Sequence, residues 1–295
     1  MRRTILPIRF ALVFFTFILT VLLYVDRASI SAAKISICSD LGLGITDFGW
    51  VMAAFTLGYA LFQAPSGKLA DNYGPRRVIS GIITIWSFLT ALTGFAWNYL
   101  SMLVIRFLFG AGEAGLYPSI SKIVYHWYPI KERGLVQGIN FSGSRIGAAF
   151  AMPLVAWMIT EIGWRDTFLV FGILGVVVAV LWYIIFRDKP ESARFIGSEE
   201  VDYIKKNRQQ SSTEVKKTVP FRSLMKSATI WKIMIQYICS NFTFYFSITW
   251  MYSYILERFN LGVVETGFYT SIPLIAGAIG NWLGGSLVDV IYSIL

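Results

Sequence analysis

The sequence predicts an all-α membrane protein with about eight transmembrane helices. Apolar residues make up 56% of the 295 residues and charged residues only 15%, whereas soluble domains carry roughly 25% charged residues. Apolar runs long enough to cross a hydrocarbon layer of ~30 Å recur eight times. Basic residues gather between alternate runs, as they do in cytoplasmic loops. The eight runs cover residues 8–34, 47–67, 78–96, 99–122, 135–159, 165–186, 228–256 and 266–290.

The first run is a membrane span rather than a cleaved signal peptide, because its apolar part exceeds the ~15 residues of a signal sequence and further runs follow. Bases precede it and follow the second, fourth and sixth runs, while the other connections contain few. This alternation predicts a cytoplasmic N-terminus; a plasma (inner) membrane of bacterial type is expected only from the family resemblance given below. The alternation also accounts for the excess of 26 basic over 17 acidic residues, so nucleic acid is not an expected partner. The bases include Arg2, Arg3, Arg9, Lys68, Arg76, Arg77, Lys131 and Arg133.

The runs group into two unequal domains. Residues 1–187 form a predicted N-terminal six-helix domain, and residues 227–295 form the first two helices of an incomplete C-terminal domain. Residues 188–226 are polar and mixed in charge and are predicted to be a cytoplasmic linker, in which "SEEVDYIKKNR" forms a short interfacial helix. "GKLAD" at 67–71 and "GSLVD" at 285–289 repeat after the second and eighth runs. Parallel repeats of this kind are a transporter plan.

Enzyme and metal chemistry are not indicated. Cys38 and Cys239 are far apart and are expected to be free thiols. His126 stands at the end of an apolar run and is expected to be an interfacial residue. Since no paired histidines, cysteine cluster or nucleophile motif occurs, we expect no metal, no cofactor and no catalytic residue.

Five ionisable residues inside the predicted spans indicate a site. Charges in a membrane are costly and usually face a cavity or each other. From the rise per residue, Arg145 lies ~15 Å from the start of its span, near the bilayer centre. The same estimate puts Asp26, Arg27 and Arg106 at an outer level, with Glu113 and Arg145 deeper. Three guanidiniums facing two carboxylates predict a cavity that binds a carboxylate.

Each of these residues also has a purely structural interpretation. Asp26 and Arg27 form an ion pair at a helix end in that case, Arg106 and Glu113 lock two helices together, and Arg145 snorkels towards the surface.

Several stretches resemble a known family. "GKLADNYGPRR" resembles the loop signature of the major facilitator superfamily, except that Asn72 replaces the usual arginine. The resemblance implies a bundle of twelve helices, of which eight are present. It also implies that the loop gates the cytoplasmic side, with Asp71 bonding neighbouring helix ends and the arginines anchoring in headgroups. The implied gate residues are Gly67, Asp71, Gly74, Arg76, Arg77 and, in the repeat, Asp289.

"LYVDRASISAA", "RFLFGAGEAGLYPS" and "KERGLVQGINFSGSRIGAAFAMPL" resemble the anion:cation symporter branch. The resemblance implies proton-carrying roles for Asp26 and Glu113. It implies substrate contacts for Tyr24, Arg27, Tyr59 and Arg106, and we add Tyr117, Ser144 and Arg145. The expected function is proton-coupled symport of an organic anion such as a hexonate, hexuronate or aldarate, with the lipid bilayer, protons and a small carboxylate as partners.

Two alternatives stay open at this point. Because four helices of the expected twelve are missing, the chain is expected to be truncated at its C-terminus. A non-transporting sensor, assembly partner or inactive fragment is one alternative. An antiporter of the same superfamily is the other.

Overall fold

The computed structural model describes residues 7–193, 196–208 and 221–294, which are predominantly helical. Arg2 and Arg3 and the middle of the predicted linker lie outside these residues. The helices are α1 (Ile8–Ala32), α2 (Lys34–Leu41), α3 (Ile45–Tyr73), α4 (Pro75–Thr93), α5 (Tyr99–Glu113), α6 (Leu116–Trp127), α7 (Arg133–Ile185), α8 (Ser198–Asn207), α9 (Phe221–Leu224), α10 (Ala228–Phe259) and α11 (Val263–Ile294).

Each of the eight predicted spans falls on a helix. The fourth span covers α5 and α6, which together form one apolar segment, and the fifth and sixth spans are the two arms of α7. In the described part of the chain, five segments are long and apolar enough to cross a membrane, and one of them, Ile130–Ile185, contains both arms of α7. The other two predicted spans, α4 and α10, have 19 and 32 residues. The prediction of an all-helical, multi-pass membrane protein is therefore confirmed.

Apolar side chains occur on both the inside and the outside of the bundle. Leu23, Trp86 and Trp182 are buried where α7 packs against α1 and α4. Phe88 and Ile184, in contrast, leave 64% and 60% of their surface uncovered. In water such an exposed apolar surface would promote association, whereas hydrocarbon chains solvate it.

A single residue joins the two arms of α7. Gly163 has φ 79° and ψ 165°, a conformation that is strained for residues with a Cβ atom. Just beyond it, Arg165 forms an ion pair with Asp40 at 3.0 Å and donates to the carbonyl oxygens of Gly94 and Ala96. The segment predicted to connect the fifth and sixth spans, residues 160–164, is thus a one-residue reversal rather than a loop.

Glycine residues allow close backbone contact at two helix crossings, that of α3 with α5 and that of α7 with α11. An added Cβ on Gly110 of α5 would overlap the carbonyl oxygen of Phe55 in α3, and one on Gly58 would overlap the carbonyl oxygen of Phe107. Between α7 and α11, a Cβ on Gly285 would lie 2.6 Å from the Gly134 carbonyl oxygen. At these crossings the backbones are too close for any side chain.

The predicted linker helix is present as α8, and it docks on the start of α1. The Glu200 carboxylate accepts hydrogen bonds from the backbone N–H groups of Ile8 at 3.0 Å and Arg9 at 3.2 Å. The Arg9 guanidinium in turn pairs with Glu132 at 3.0 Å and Glu200 at 3.2 Å. Glu200 therefore satisfies N–H groups that a helix start leaves without partners. We call this side of the bundle the Arg9 end.

Candidate functional site

A buried ion pair joins α1 to α5. Arg27 Nε lies 2.6 Å from Glu113 Oε2, and the two side chains expose only 4% and 0% of their surface. The sequence estimate did not foresee this contact, because it counted helix rise alone and ignored the reach of the arginine side chain and the relative placement of the two helices.

Aromatic rings surround the Arg27 guanidinium. Its carbon lies 4.3 Å from the ring centre of Tyr59, 4.8 Å from that of Tyr24 and 5.0 Å from that of Phe55. Arg27 Nη1 donates to the hydroxyls of Tyr24 and Tyr245, each at 3.3 Å. Cation–π contacts strengthen when they are desolvated, so these rings stabilise the charge while they leave the Nη2 atom without a partner in the described residues.

Arg106 and Asp26 are buried, and neither has an ionic partner within 4 Å among the residues that the structure describes. The Arg106 guanidinium carbon lies 4.6 Å from the Phe109 ring centre, and its Nε and Nη2 atoms have no hydrogen-bond partner within the described structure. Asp26 exposes 6% of its surface, and among the described residues it forms no ion pair within 4 Å. The structural alternative of an Asp26–Arg27 pair is therefore wrong, since Arg27 pairs with Glu113 instead.

Two adjoining cavities open beside these charges. The larger, about 720 Å³, is lined by Arg27 and Arg106 and by residues of α3 and α10. The smaller, about 220 Å³, is lined by Arg145, Tyr117 and Ser144 and by residues of α10 and α11. Both cavities have walls formed by Tyr24, Tyr59, Gln63, Tyr237, Asn241 and Tyr245. The three arginines thus line adjoining cavities, although not the single cavity that we expected.

The two carboxylates stand behind the cavity walls rather than in them. Asp26 and Glu113 line neither cavity, and the charged side chains that do line the two cavities, Arg27, Arg106 and Arg145, are all cationic. Glu113 still neutralises Arg27 directly. Arg106 and Arg145 keep charges that have no carboxylate partner within 4 Å among the described residues.

Sequence reasoning missed the contribution of α10. Tyr237, Asn241, Tyr245 and Thr249 line the larger cavity, and none of them is among the predicted site residues. These four residues recur at every fourth position, which places them on one helix face. That spacing of polar and hydroxylated residues is the signal that could have revealed them.

The signature after α3 forms protein contacts at the Arg9 end. Gly74 has φ 83°, and the Asp188 carboxylate accepts from Arg76 N at 2.7 Å, which caps the start of α4. Arg76 Nε donates to the Tyr183 carbonyl oxygen at 2.8 Å. Arg76 therefore contacts the end of α7, and the headgroup anchor expected of it stays a prediction. Arg77 is exposed.

The two acidic residues of the repeat behave differently. Asp289 accepts from Gly134 N at 2.8 Å and Leu135 N at 2.7 Å, at the start of α7. Asp71 instead forms an ion pair with Lys122 at 3.3 Å. Within the part of the chain that the structure describes, Asp289 therefore bonds a helix end, whereas Asp71 forms no such hydrogen bond. Gly67 approaches Pro118 only at van der Waals distance, 3.5 Å from an added Cβ.

No metal centre is formed by the described residues, since they contain no group of three or more His, Cys, Asp or Glu side chains that could hold an ion. Cys38 and Cys239 are both free thiols. His126 stacks edge-on against Tyr125.

The sequence matches the Major Facilitator Superfamily over residues 16–294. The chain belongs to this superfamily. Among curated relatives, it is 34% identical over 269 residues to the "Probable sulfoacetate transporter SauU" of Cupriavidus necator, covering 91% of the chain and 62% of that protein. It is 32% identical over 273 residues to the "Probable L-galactonate transporter" of Escherichia coli, covering 92% of the chain and 60% of that protein.

The chain spans about three fifths of the length of these two superfamily relatives. Its fold is similar to the crystal structure of a bacterial homologue of the human lysosomal transporter Spinster in an inward-facing, unoccupied conformation. The TM-score is 0.75 at 22% identity, and the match covers 99% of the chain and 64% of that structure. The relatives are transporters and not enzymes, as the sequence predicted.

Proposed function

We propose that this superfamily member is a secondary active transporter that carries an organic anion, such as a sugar acid, together with protons by alternating access. The observation that carries the proposal is the buried Arg27–Glu113 ion pair at 2.6 Å, beside a cavity that is lined by Arg27 and by Arg106, which has no ion pair within 4 Å among the described residues. The named relatives transport a sugar acid and a sulfonated acid, which supports the same class of substrate.

The unused hydrogen-bond donors favour a carboxylate. Arg27 Nη2 and Arg106 Nε and Nη2 are buried without acceptors among the described residues, and an unsatisfied buried donor costs about 1–3 kcal/mol. A carboxylate accepts two guanidinium hydrogen bonds at once and supplies the missing charge. The hydroxyls of Tyr24 and Tyr59 suit the hydroxyl groups of a sugar acid.

Proton coupling follows from competition for Arg27. Glu113 holds the Arg27 guanidinium when the site is empty, and a substrate carboxylate needs the same atoms. A proton on Glu113 releases Arg27 for the substrate, so the anion and the proton bind together. Asp26 is a second proposed proton carrier, because its buried carboxylate has no ionic partner in the described chain and a proton would neutralise it.

Cellular placement is part of the same proposal. Bases concentrated at the Arg9 end support a plasma (inner) membrane location with the N-terminus in the cytoplasm. The gate proposed for this end comprises the contacts of Asp188 and Asp289 with the starts of α4 and α7. The domain boundaries at residues 187 and 227 remain predictions.

Uptake into vesicles tests the proposal. We expect vesicles that contain the protein to accumulate labelled galactonate under an inward proton gradient, and Glu113→Gln to reduce this gradient-driven uptake by at least about tenfold, as expected for loss of an essential proton carrier. Glu161→Gln changes the same residue type at an exposed position and should leave uptake unchanged.

The outcomes separate the alternatives. Gradient-driven uptake that survives both Asp26→Asn and Glu113→Gln would contradict the coupling roles. Binding of galactonate without any uptake would favour a non-transporting membrane protein. Uptake that requires an internal counter-substrate would favour an antiporter.

A further inference from the structure

Arg145 is the third arginine of the site, and it lies apart from Arg27 and Arg106. It lies halfway along the first arm of α7, it is partly buried, and it lines the smaller cavity. Its guanidinium carbon stands 4.9 Å from the ring centre of Phe244. Within the described chain it has no ion pair within 4 Å and no hydrogen bond. A charge held in a membrane interior is expensive unless something neutralises it, and the snorkelling alternative is disfavoured because the side chain lies along a cavity wall.

Aromatic rings separate Arg145 from the other two arginines. The Tyr24 ring lies 4.8 Å from the Arg27 guanidinium carbon and 5.6 Å, centre to centre, from the Phe244 ring, which contacts Arg145. Arg27 and Arg106 line only the larger cavity, and Arg145 lines only the smaller one. One carboxylate cannot bind bidentately on both sides of this aromatic pair, whereas a molecule with an acidic group at each end can.

We propose that the transported anion is a dianion whose second acidic group, a carboxylate or a sulfonate, binds Arg145 in the smaller cavity. This inference rests on the proposed function. The first acidic group occupies Arg27 and Arg106. The amides of Asn241 and Asn281, which also line the smaller cavity, provide neutral donors for the remaining oxygens of the second group.

Gly277 of α11 leaves space for the Arg145 guanidinium. A Cβ atom added at Gly277 would lie 2.6 Å from Arg145 Nη1 and 2.9 Å from its Cζ. An alanine there would displace the guanidinium without altering its charge. Gly280, three residues further along the same helix, has no neighbouring atom within 4 Å of an added Cβ, so the two positions form a matched pair.

Binding of two six-carbon acids tests the dianion. Galactarate and galactonate share the same carbon skeleton, and they carry two carboxylates and one carboxylate. We expect the purified full chain in detergent micelles to bind galactarate at least about tenfold more tightly by isothermal titration calorimetry. Arg145→Gln should reduce that ratio towards one, and Arg145→Lys should retain part of it because the charge remains.

The glycine pair provides variants that keep Arg145. Gly277→Ala should lower the ratio of the two affinities, and Gly280→Ala should leave it unchanged. Equal binding of the two acids by the unaltered chain would contradict the dianion proposal. So would an equal loss of both affinities in Arg145→Gln and Gly277→Ala. Neither result would contradict the proposal of an anion transporter. Binding of neither acid by the unaltered chain would overturn the proposed function, and the dianion with it.

Discussion

At the residue scale, Asp289 shows how a short repeat acquires a structural role. The first N–H groups of a helix have no partner within that helix, and its start carries partial positive charge. Asp289 uses both carboxylate oxygens to accept from two such groups, those of Gly134 and Leu135. It therefore ties the end of α11 to the start of α7 through charge-assisted hydrogen bonds.

Replacing Asp289 should lower stability measurably. We expect Asp289→Ala to reduce the free energy of unfolding by about 1 kcal/mol, the typical value for a lost helix cap. Asp71→Ala is the matched control at the equivalent position of the repeat, where the carboxylate is 69% exposed and forms an ion pair with Lys122. Thermal unfolding of the purified variants, followed by circular dichroism, measures the difference. Equal losses in the two variants would contradict the capping role of Asp289.

Individual side chains also show what the sequence could not reveal. It singled out Asp26, Arg27, Arg106, Glu113 and Arg145, because charges inside apolar runs stand out in composition, and the three arginines line the two cavities. It did not reveal that Arg27 pairs with Glu113, since that contact depends on how α1 and α5 are placed against each other. Tyr245 was missed for a related reason: an aromatic residue in an apolar run faces lipid or a cavity depending on helix rotation.

At the element scale, the α3–α5 crossing depends on glycine at both surfaces. Gly58 and Gly110 each face a backbone carbonyl oxygen of the opposite helix. Backbone atoms cannot give way as the tip of a long side chain can, so the helices must separate if either glycine gains a Cβ. Phe55 of α3 and Arg106 of α5 line the same cavity, and a separation would therefore also change its shape.

Alanine substitutions measure this requirement directly. Gly110→Ala should destabilise the protein by about 1–3 kcal/mol, as overpacking of a tight contact does. Gly81→Ala is the matched control within α4, because an added Cβ there meets no atom within 4 Å. It should be neutral or stabilise by up to about 1 kcal/mol, since alanine is the better helix former. Thermal unfolding of the detergent-solubilised variants distinguishes the two substitutions. Unchanged stability of Gly110→Ala would show that α3 and α5 can move apart without cost.

Whole helices were the most predictable features of the fold. Bilayer thickness fixes the length of an apolar run, so all eight predicted spans fall on helices. Their ends and junctions were less predictable, because local contacts decide them. The connection predicted at residues 160–164 consists of one non-helical residue, Gly163. The helix of the predicted linker packs on the start of α1 through Glu200.

At the scale of the whole molecule, the orientation of the protein in the membrane can be determined by labelling the thiol of Cys38. Cys38 lies in α2, which follows the end of α1 farthest from Arg9. If the Arg9 end faces the cytoplasm, Cys38 faces the outside. Cys239, the other cysteine of the sequence, lies in α10, and Cys239→Ser leaves Cys38 alone.

We expect a membrane-impermeant maleimide to label Cys38 in intact cells that produce Cys239→Ser. Burial raises the pKa of the Cys38 thiol, with Asp47 adding to the effect and Lys34 opposing it. Because the thiolate is the reactive form, labelling should be slower than that of a free thiol at neutral pH and should accelerate as the pH rises. A Cys38→Ser, Cys239→Ser protein gives the background. Labelling only after permeabilisation would reverse the orientation.

Gly163 has a consequence for how the bundle can move. Two helices can rotate against each other only if the connection between them is flexible. The fifth and sixth spans are connected by Gly163 alone, and the chain next to it is held by the contacts of Arg165 with Asp40 and with the carbonyl oxygens that follow α4. The fifth span also packs along α1 and the sixth along α4. In the transport cycle that we propose, we therefore expect α1, α4 and the two arms of α7 to move together as one rigid body.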